Sequence, residues 1–323
     1  MLIGILKDEL KKYGIGDTIF TRSRNLEKLL DLSKIYLKFE GGNPTGTMKD
    51  RASYACIKLA VEQGFNKLVI ASCGNFGASF VHLAREFGVE VHVYIPEGYH
   101  TPRIKEMEGK GGVIHWAPGT YEEVVEFSGN EAERLGWFNA NPGVKANTRA
   151  SMEAYATISY EIYERLGYAP DVVAVPVGNG TTIAGIHLGF KRLSEDGETD
   201  KVPVMVAAST AGGNPVVSCF LGGEKRIRDI EPSEIDETEH NEPLVSWRCL
   251  DGQEALDALW SSRGWATFVA DDVLVAFSEM LANEEGLLVL PASASSLAAL
   301  ADYSKKKPSG ERTYLAVLTG RRH

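Results

Sequence analysis

The chain has 323 residues, 44% of them hydrophobic and 24% charged, a globular composition long enough for two domains. Its formal net charge of -10 at pH 7 argues against nucleic acid or an anionic membrane as the main partner. The four cysteines form no C-x-x-C pair, so we expect neither a metal site nor a disulfide framework. The first residues are too short a run for a signal peptide, and no apolar run approaches membrane-spanning length. These features predict a soluble cytoplasmic protein.

From Lys67 onward, short β-branched runs alternate with segments of helical periodicity. Strands are predicted at 67–72, 89–95, 113–116, 171–177, 202–208 and 314–318. Helices are predicted at 48–61, 78–87, 103–107, 121–135, 147–166, 182–193, 270–283 and 294–305. The acidic segment 222–243 has little apolar periodicity and is interpreted as irregular. The alternation predicts an α/β fold of parallel sheets covered by helices on both faces.

The segment N-P-T-G-T-M-K-D-R, residues 43–51, places Lys49 just past a tight turn and just inside a predicted helix. Thr47 is the predicted N-cap of this helix. The partial positive charge of a helix N-terminus disfavours an ammonium and therefore biases Lys49 toward the neutral amine, which forms Schiff bases with carbonyls. An isolated lysine of this kind is more often a solvated first-turn residue, so three further segments decide between the two interpretations.

Two strand-to-helix turns are rich in glycine and small polar residues. S-C-G-N-F-G, residues 72–77, presents backbone N–H groups at a helix N-terminus, an arrangement that suits a carboxylate. V-G-N-G-T-T, residues 177–182, adds two threonine hydroxyls to its glycines and suits a phosphate. It is neither a P-loop nor a clear dinucleotide fingerprint. Either turn alone could be an ordinary βα loop.

The third segment is the C-terminal region, with E-E-G at 284–286, P-A-S-A-S-S-L at 291–297 and L-T-G at 318–320. The run of small residues lets a helix pack closely on its neighbour. Thr319 follows the last predicted strand, and ligands of open parallel sheets bind at the carboxyl ends of strands. Its hydroxyl could contact a ring nitrogen.

In this order, the four segments resemble those of the fold type II pyridoxal-phosphate enzymes, the tryptophan synthase β-like family, over residues 20–319. The K-D-R ending and the C-terminal segments are most similar to those of the threonine synthases. The resemblance implies pyridoxal 5'-phosphate as cofactor, bound in the cleft between two open, mostly parallel, doubly wound sheet domains. The small domain would span 42–141, and the large domain would combine 1–41 with 142–323. Family members are commonly homodimers.

The resemblance also implies roles for individual residues. Lys49 would bind the cofactor covalently and act as acid and base on the substrate. Asn75 would donate to the ring oxygen, and Thr319 would contact the pyridine nitrogen, leaving a milder electron sink that suits elimination and replacement. The cofactor phosphate would be held by Gly178, Asn179, Gly180, Thr181 and Thr182. The substrate carboxylate would be held by Ser72, Cys73, Gly74, Phe76 and Gly77.

The implied reaction converts O-phospho-L-homoserine and water to L-threonine and phosphate. Threonine synthases usually carry a lysine where this chain has Ala156, and a small residue where it has Phe76. Asn147 and Arg149, with Lys145, are candidates to contact the substrate phosphate in place of that lysine. Three alternatives stay open: a threonine/serine ammonia-lyase, an O-phosphoserine-dependent cysteine synthase, and a binding protein that keeps the fold without turnover.

Overall fold

The computed structural model describes residues 2–308 and 310–322, which form two β-sheets and their covering helices. The strands are Ile19–Arg22 (β1), Lys34–Phe39 (β2), Lys67–Ala71 (β3), Glu90–Pro96 (β4), Val113–Ala117 (β5), Phe138–Asn139 (β6), Val172–Pro176 (β7), Val204–Thr210 (β8), Trp265–Val269 (β9) and Thr313–Leu318 (β10). The helices are Leu2–Lys11 (α1), Arg24–Leu30 (α2), Lys49–Glu62 (α3), Asn75–Ala84 (α4), Pro102–Gly109 (α5), Tyr121–Leu135 (α6), Lys145–Leu166 (α7), Thr181–Glu195 (α8), Pro215–Leu221 (α9), Gly252–Ser261 (α10), Asp271–Glu285 (α11) and Pro291–Lys306 (α12).

The large sheet has the strand order β1-β2-β10-β7-β8-β9. Its neighbouring strands pair in parallel, apart from β1, which runs antiparallel to β2. Successive residues of a strand face opposite sides of the sheet. In β7, Val173 packs in one buried cluster with Phe190 of α8, and Val172 packs in another with Leu300 of α12. Both faces are therefore covered, which explains why the strand is apolar throughout.

The small sheet has the order β5-β4-β3-β6, with parallel pairing throughout its described strands. Leu68 of β3 shares a buried cluster with Phe80 of α4, and Val69 shares another with Val124 of α6. The predicted α/β fold of parallel, doubly wound sheets is thus confirmed. The domain limits at 41/42 and 141/142 stay a prediction.

The structure agrees with the sequence prediction in the capping of α3 and differs from it in several short elements. The assigned helix begins at Lys49, and Met48 before it already has helical backbone angles. The Thr47 hydroxyl accepts from the Lys49 N–H at 3.2 Å, which is the capping hydrogen bond that the sequence predicts. Strand β2 escaped prediction because lysines interrupt its apolar run. Lys38 is nevertheless buried, and its ammonium donates to Glu161 at 2.6 Å. The ion pair with Glu161 allows this strand to be buried although its sequence contains lysines.

Two further properties concern the described part of the chain as a whole. None of its helices combines the length and the apolar character that crossing a membrane requires. Within residues 2–308 and 310–322, no three histidine, cysteine or acidic side chains group in a way that could hold a metal ion.

Candidate active site

A cavity of about 560 Å³ lies at the carboxyl ends of β3, β4, β5 and β6 of the small sheet and of β7 of the large sheet. A second cavity of about 80 Å³ adjoins it and is lined by Thr319 and Thr182. The two cavities share Lys49, Asn75, Gly178, Asn179, Thr181 and Pro243. Loops that follow strands of both sheets therefore meet at Lys49.

Most residues predicted for the site line one of these cavities. The large cavity is lined by Lys49, Ser72, Cys73, Gly74, Asn75, Phe76, Asn147, Gly178, Asn179 and Thr181. Gly180, Thr182 and Thr319 line only the small one. Gly77 and Arg149 line neither. The structure thus brings together thirteen of the fifteen predicted residues and leaves two outside.

Lys49 begins α3 and is half-buried, with its ammonium 4.8 Å from the centre of the Phe76 ring. Burial lowers the pKa of Lys49 below its usual value, while the charges of Asp251 and Glu242 oppose that shift. The direction agrees with the prediction from the helix N-terminus. Its main cause is desolvation, which only the folded structure provides.

Glu242 allows a test of how burial and nearby charges together set the pKa of Lys49. Replacing Glu242 by glutamine removes a negative charge that favours the ammonium, so we expect the pKa of Lys49 to fall further. The rate at which cofactor-free protein binds pyridoxal phosphate is followed by absorption between about pH 7 and 11. The increase of this rate with pH will then occur at a lower pH in the variant than in the parent protein. The exposed neighbour Glu239→Gln is the matched control. An unchanged pH profile in Glu242→Gln would contradict the assigned influence of this carboxylate.

Asp50 ties the lysine segment to residues 72–77, which we call the carboxylate-type loop. It is fully buried and accepts from the Thr45 N–H at 2.7 Å, from the Thr45 hydroxyl at 2.6 Å and from the Ser79 hydroxyl at 2.6 Å. Ser79 lies in α4, the helix that the loop at 72–77 opens. The acid of the K-D-R segment thus holds Lys49 and this loop in one arrangement.

Arg51 belongs to a buried group of four charges that sequence reasoning missed. Its guanidinium donates to Glu40 at 2.7 Å and to Glu161 at 2.8 Å. Lys38 lies 3.7 Å from Glu40 and 2.6 Å from Glu161. We call Lys38, Glu40, Arg51 and Glu161 the ionic cluster. Its charges balance, and it anchors α3 to β2 and α7 at the first turn after Lys49.

The carboxylate-type loop is shaped by Ser72 and Arg103. The Ser72 hydroxyl accepts from the Gly77 N–H at 2.9 Å, and a Cβ on Gly77 would lie 2.8 Å from the Met107 sulfur. Gly77 therefore serves packing, which is why it lies outside the cavity lining. The Asn75 amide oxygen accepts from Arg103 at 3.0 Å, so its NH₂ group is the one that can donate to a ligand.

Residues 177–182, which we call the phosphate-type loop, end at the N-terminus of α8, which begins at Thr181. The first N–H groups of a helix have no partner within it and form an anion site. The loop glycines are also needed for packing: a Cβ on Gly178 would lie 2.4 Å from the Pro243 carbonyl oxygen, and one on Gly180 would lie 2.6 Å from Ala255. Their predicted contact with a phosphate stays a prediction.

Thr319, which follows the last strand, lines the small cavity together with Lys49. Its hydroxyl is 2.9 Å from that of Ser293, and its carbonyl accepts from the Met48 N–H at 2.9 Å. This backbone hydrogen bond joins the end of β10 to the start of α3.

Helix α7 explains the positions of Asn147 and Arg149. Asn147, Ser151 and Tyr155 line the large cavity at a spacing of four residues, which is one face of a helix. Arg149 lies two residues from Asn147, is turned to another face and is exposed. The predicted contact of Arg149 with substrate is therefore not supported by its placement. The buried Oδ1 of Asn147, in contrast, has no hydrogen-bond partner in the described part of the chain.

The large cavity also has an acidic wall that sequence reasoning missed. Its carboxylates are Glu97, Glu122, Glu237, Glu242 and Asp251. Among the described lining residues, the cationic ones are Lys49 and Arg248, and Arg248 donates to Asp229 at 2.8 Å. Burial and the nearby Glu237 raise the pKa of Glu242. The acidic segment 222–243, whose sequence predicts irregular structure, supplies Glu237 and Glu242.

Comparison with known proteins was made by sequence first. The family described as "Pyridoxal-phosphate dependent enzyme" matches residues 11–320. Threonine synthase of Methanocaldococcus jannaschii is 34% identical over 302 residues, which cover 91% of this chain and 72% of that protein. Threonine synthase of Halalkalibacterium halodurans is 31% identical over 316 residues, which cover 95% and 82%.

Solved structures of the same fold include maize serine racemase, with a TM-score of 0.81, 20% identity and coverage of 99% of this chain and 93% of that one. A pyridoxal 5'-phosphate-dependent aspartate racemase has a TM-score of 0.82 at 18% identity, with coverage of 99% and 94%. At such identities the likeness shows the fold alone. Together with the sequence matches, it shows that the chain belongs to the fold type II family of pyridoxal-phosphate dependent enzymes.

Proposed function

We propose that this enzyme is a threonine synthase, which converts O-phospho-L-homoserine and water to L-threonine and phosphate. The observation that carries the proposal is the amine of Lys49, which lies between a carboxylate-type loop and a phosphate-type loop in one cavity. The identity of 34% to the Methanocaldococcus jannaschii threonine synthase supports the choice of reaction.

The residues present fit pyridoxal phosphate. The unpaired N–H groups that begin α8 suit its phosphate, the Asn75 NH₂ group its ring oxygen and the Thr319 hydroxyl its ring nitrogen. When bound, the cofactor supplies an electron sink for negative charge on a substrate carbon. The Lys49 amine, with its lowered pKa, can take a proton from one substrate carbon and return it to another.

The carboxylate-type loop would orient the substrate. A Cβ added at Gly74 would meet no described atom within 4 Å, so this part of the loop borders open space in the cavity. Backbone N–H groups there can bind the substrate carboxylate, and the nearby Phe76 ring excludes water from the reacting carbons.

A second candidate is a threonine/serine ammonia-lyase, which the acidic wall favours. A phosphorylated substrate side chain needs charge-assisted donors, and Arg248 is already paired while Arg149 is turned away. The carboxylates of the acidic wall repel an anionic phosphate, but they do not repel the uncharged hydroxyl of threonine or serine. The acidic wall counts equally against O-phosphoserine as the substrate of a cysteine synthase.

One assay separates these reactions. Purified protein saturated with pyridoxal phosphate is offered O-phospho-L-homoserine, L-threonine, L-serine, or O-phospho-L-serine with sulfide. We expect phosphate and threonine from the first substrate at a kcat/KM at least about tenfold above any other. Release of 2-oxobutanoate from threonine without turnover of O-phosphohomoserine would establish the lyase instead. Turnover of none of them would favour a binding protein.

A further inference from the structure

Asp251 lies beside the phosphate-type loop, although it is 72 residues away from it in sequence. Its side chain is buried, with 3% of the residue exposed. One carboxylate oxygen accepts from the Asn179 amide at 3.0 Å and from the Thr181 hydroxyl at 2.7 Å. Both donors belong to the loop that is predicted to bind the cofactor phosphate.

The other carboxylate oxygen of Asp251 is bound to the start of α7. It accepts from the Gly143 N–H at 3.0 Å and from the Thr148 hydroxyl at 2.6 Å. The backbone N–H of Asp251 in turn donates to the Asn179 amide oxygen at 3.2 Å. Asp251 therefore joins the phosphate-type loop to α7 through five hydrogen bonds.

Three helices start around this carboxylate: α7 at Lys145, α8 at Thr181 and α10 at Gly252, directly after Asp251. Helix N-termini carry partial positive charge, which stabilises a nearby anion. This field, together with the four hydrogen bonds to its oxygens, explains how a carboxylate is tolerated in a buried position. The Asp251 carboxylate is thus an anion that lies next to the predicted site of a second anion, the cofactor phosphate.

We propose that Asp251 limits the affinity of this loop for phosphate. It takes the proton of the Thr181 hydroxyl and one of the two N–H donors of Asn179. The cofactor phosphate is left with the backbone N–H groups, the second Asn179 N–H and Thr182, whose hydroxyl makes only a weak contact with the Met48 sulfur at 3.3 Å. The charge of Asp251 also opposes the phosphate, which carries about -1.5 to -2 at pH 7.

Because the phosphate contact is weakened, the cofactor is retained mainly by its covalent link to Lys49. The loop is also expected to bind free phosphate poorly. The inference rests on the cofactor and is independent of the substrate.

The test is Asp251→Asn in the 323-residue chain freed of cofactor, with calorimetric titration of inorganic phosphate and of pyridoxal phosphate. The carboxamide removes the charge, and its NH₂ group can donate to Thr181, whose own proton is then available to the phosphate. We expect the Kd of both ligands to fall at least about tenfold. Asp257 is exposed on α10, the helix that follows Asp251; Asp257→Asn makes the same change in net charge and should leave both values within about twofold.

An unchanged or higher Kd in a folded Asp251→Asn protein would overturn the proposal. A second pair of variants tests it without altering Asp251. Thr182→Val should raise the Kd for inorganic phosphate at least about fivefold, and Thr181→Val should leave it within about twofold. A loss in Thr181→Val as large as that in Thr182→Val would show that Thr181 binds the phosphate and would also overturn it. Because no substrate is turned over, neither result bears on the proposed reaction.

Discussion

Replacing Lys49 by alanine is expected to lower kcat by about 10³-fold or more and to remove the absorption band of the bound cofactor near the visible edge. Lys49 is one of the residues that line both cavities, and burial lowers the pKa of its amine, which favours the reactive neutral form. Without it, the cofactor loses its covalent link and the substrate loses its acid and base. Steady-state kinetics and an absorption spectrum of protein supplied with pyridoxal phosphate measure the two effects.

Lys58→Ala is the matched control, because Lys58 lies on the same helix and its ammonium contacts Glu9 away from the cavity. We expect its spectrum and kcat to stay within about twofold of the parent protein. A Lys49→Ala protein that keeps the absorption band would show that another lysine holds the cofactor. A variant that loses the band but keeps kcat would show that Lys49 has no part in catalysis.

Replacing Arg51 by methionine is expected to lower the free energy of unfolding by about 3–5 kcal/mol. The guanidinium is fully buried and donates to Glu40, Glu161 and Thr157. Its removal leaves two buried carboxylates with only Lys38 to balance them. Denaturant unfolding followed by circular dichroism gives the change directly.

Two further variants show whether the loss comes from the unbalanced charge. Arg51→Met combined with Glu161→Met restores equal numbers of positive and negative charges, so the double variant should lose less than the sum of the two single losses. Arg228→Met, which breaks an exposed ion pair with Glu224, should leave the midpoint unchanged. Additive losses in the double variant would contradict the description of the ionic cluster as one balanced unit.

Local chemistry was enough to predict the parallel fold and the lysine. Strands that are apolar along their whole length, such as β7, predict burial on both faces whatever the rest of the chain does. Lys49 and the turns at 72–77 and 177–182 follow strand ends or precede helices, and such positions lie at one edge of a parallel sheet. These features depend only on a few residues that are neighbours in the sequence, so they can be predicted from the sequence alone.

Contacts between distant segments could not be predicted in this way. Asp251 accepts from Asn179, the charge of Glu242 acts on Lys49, and Arg51 pairs with a glutamate 110 residues away. Each depends on how helices pack against the sheets, and no local pattern marks a carboxylate or a cation as a future partner. The packing of α7 also decides which of its faces lines the cavity; Asn147 lies on that face, and helical periodicity then places Arg149, two residues further on, on another. Local sequence therefore supplies the reactive groups, whereas tertiary packing sets the charges around them.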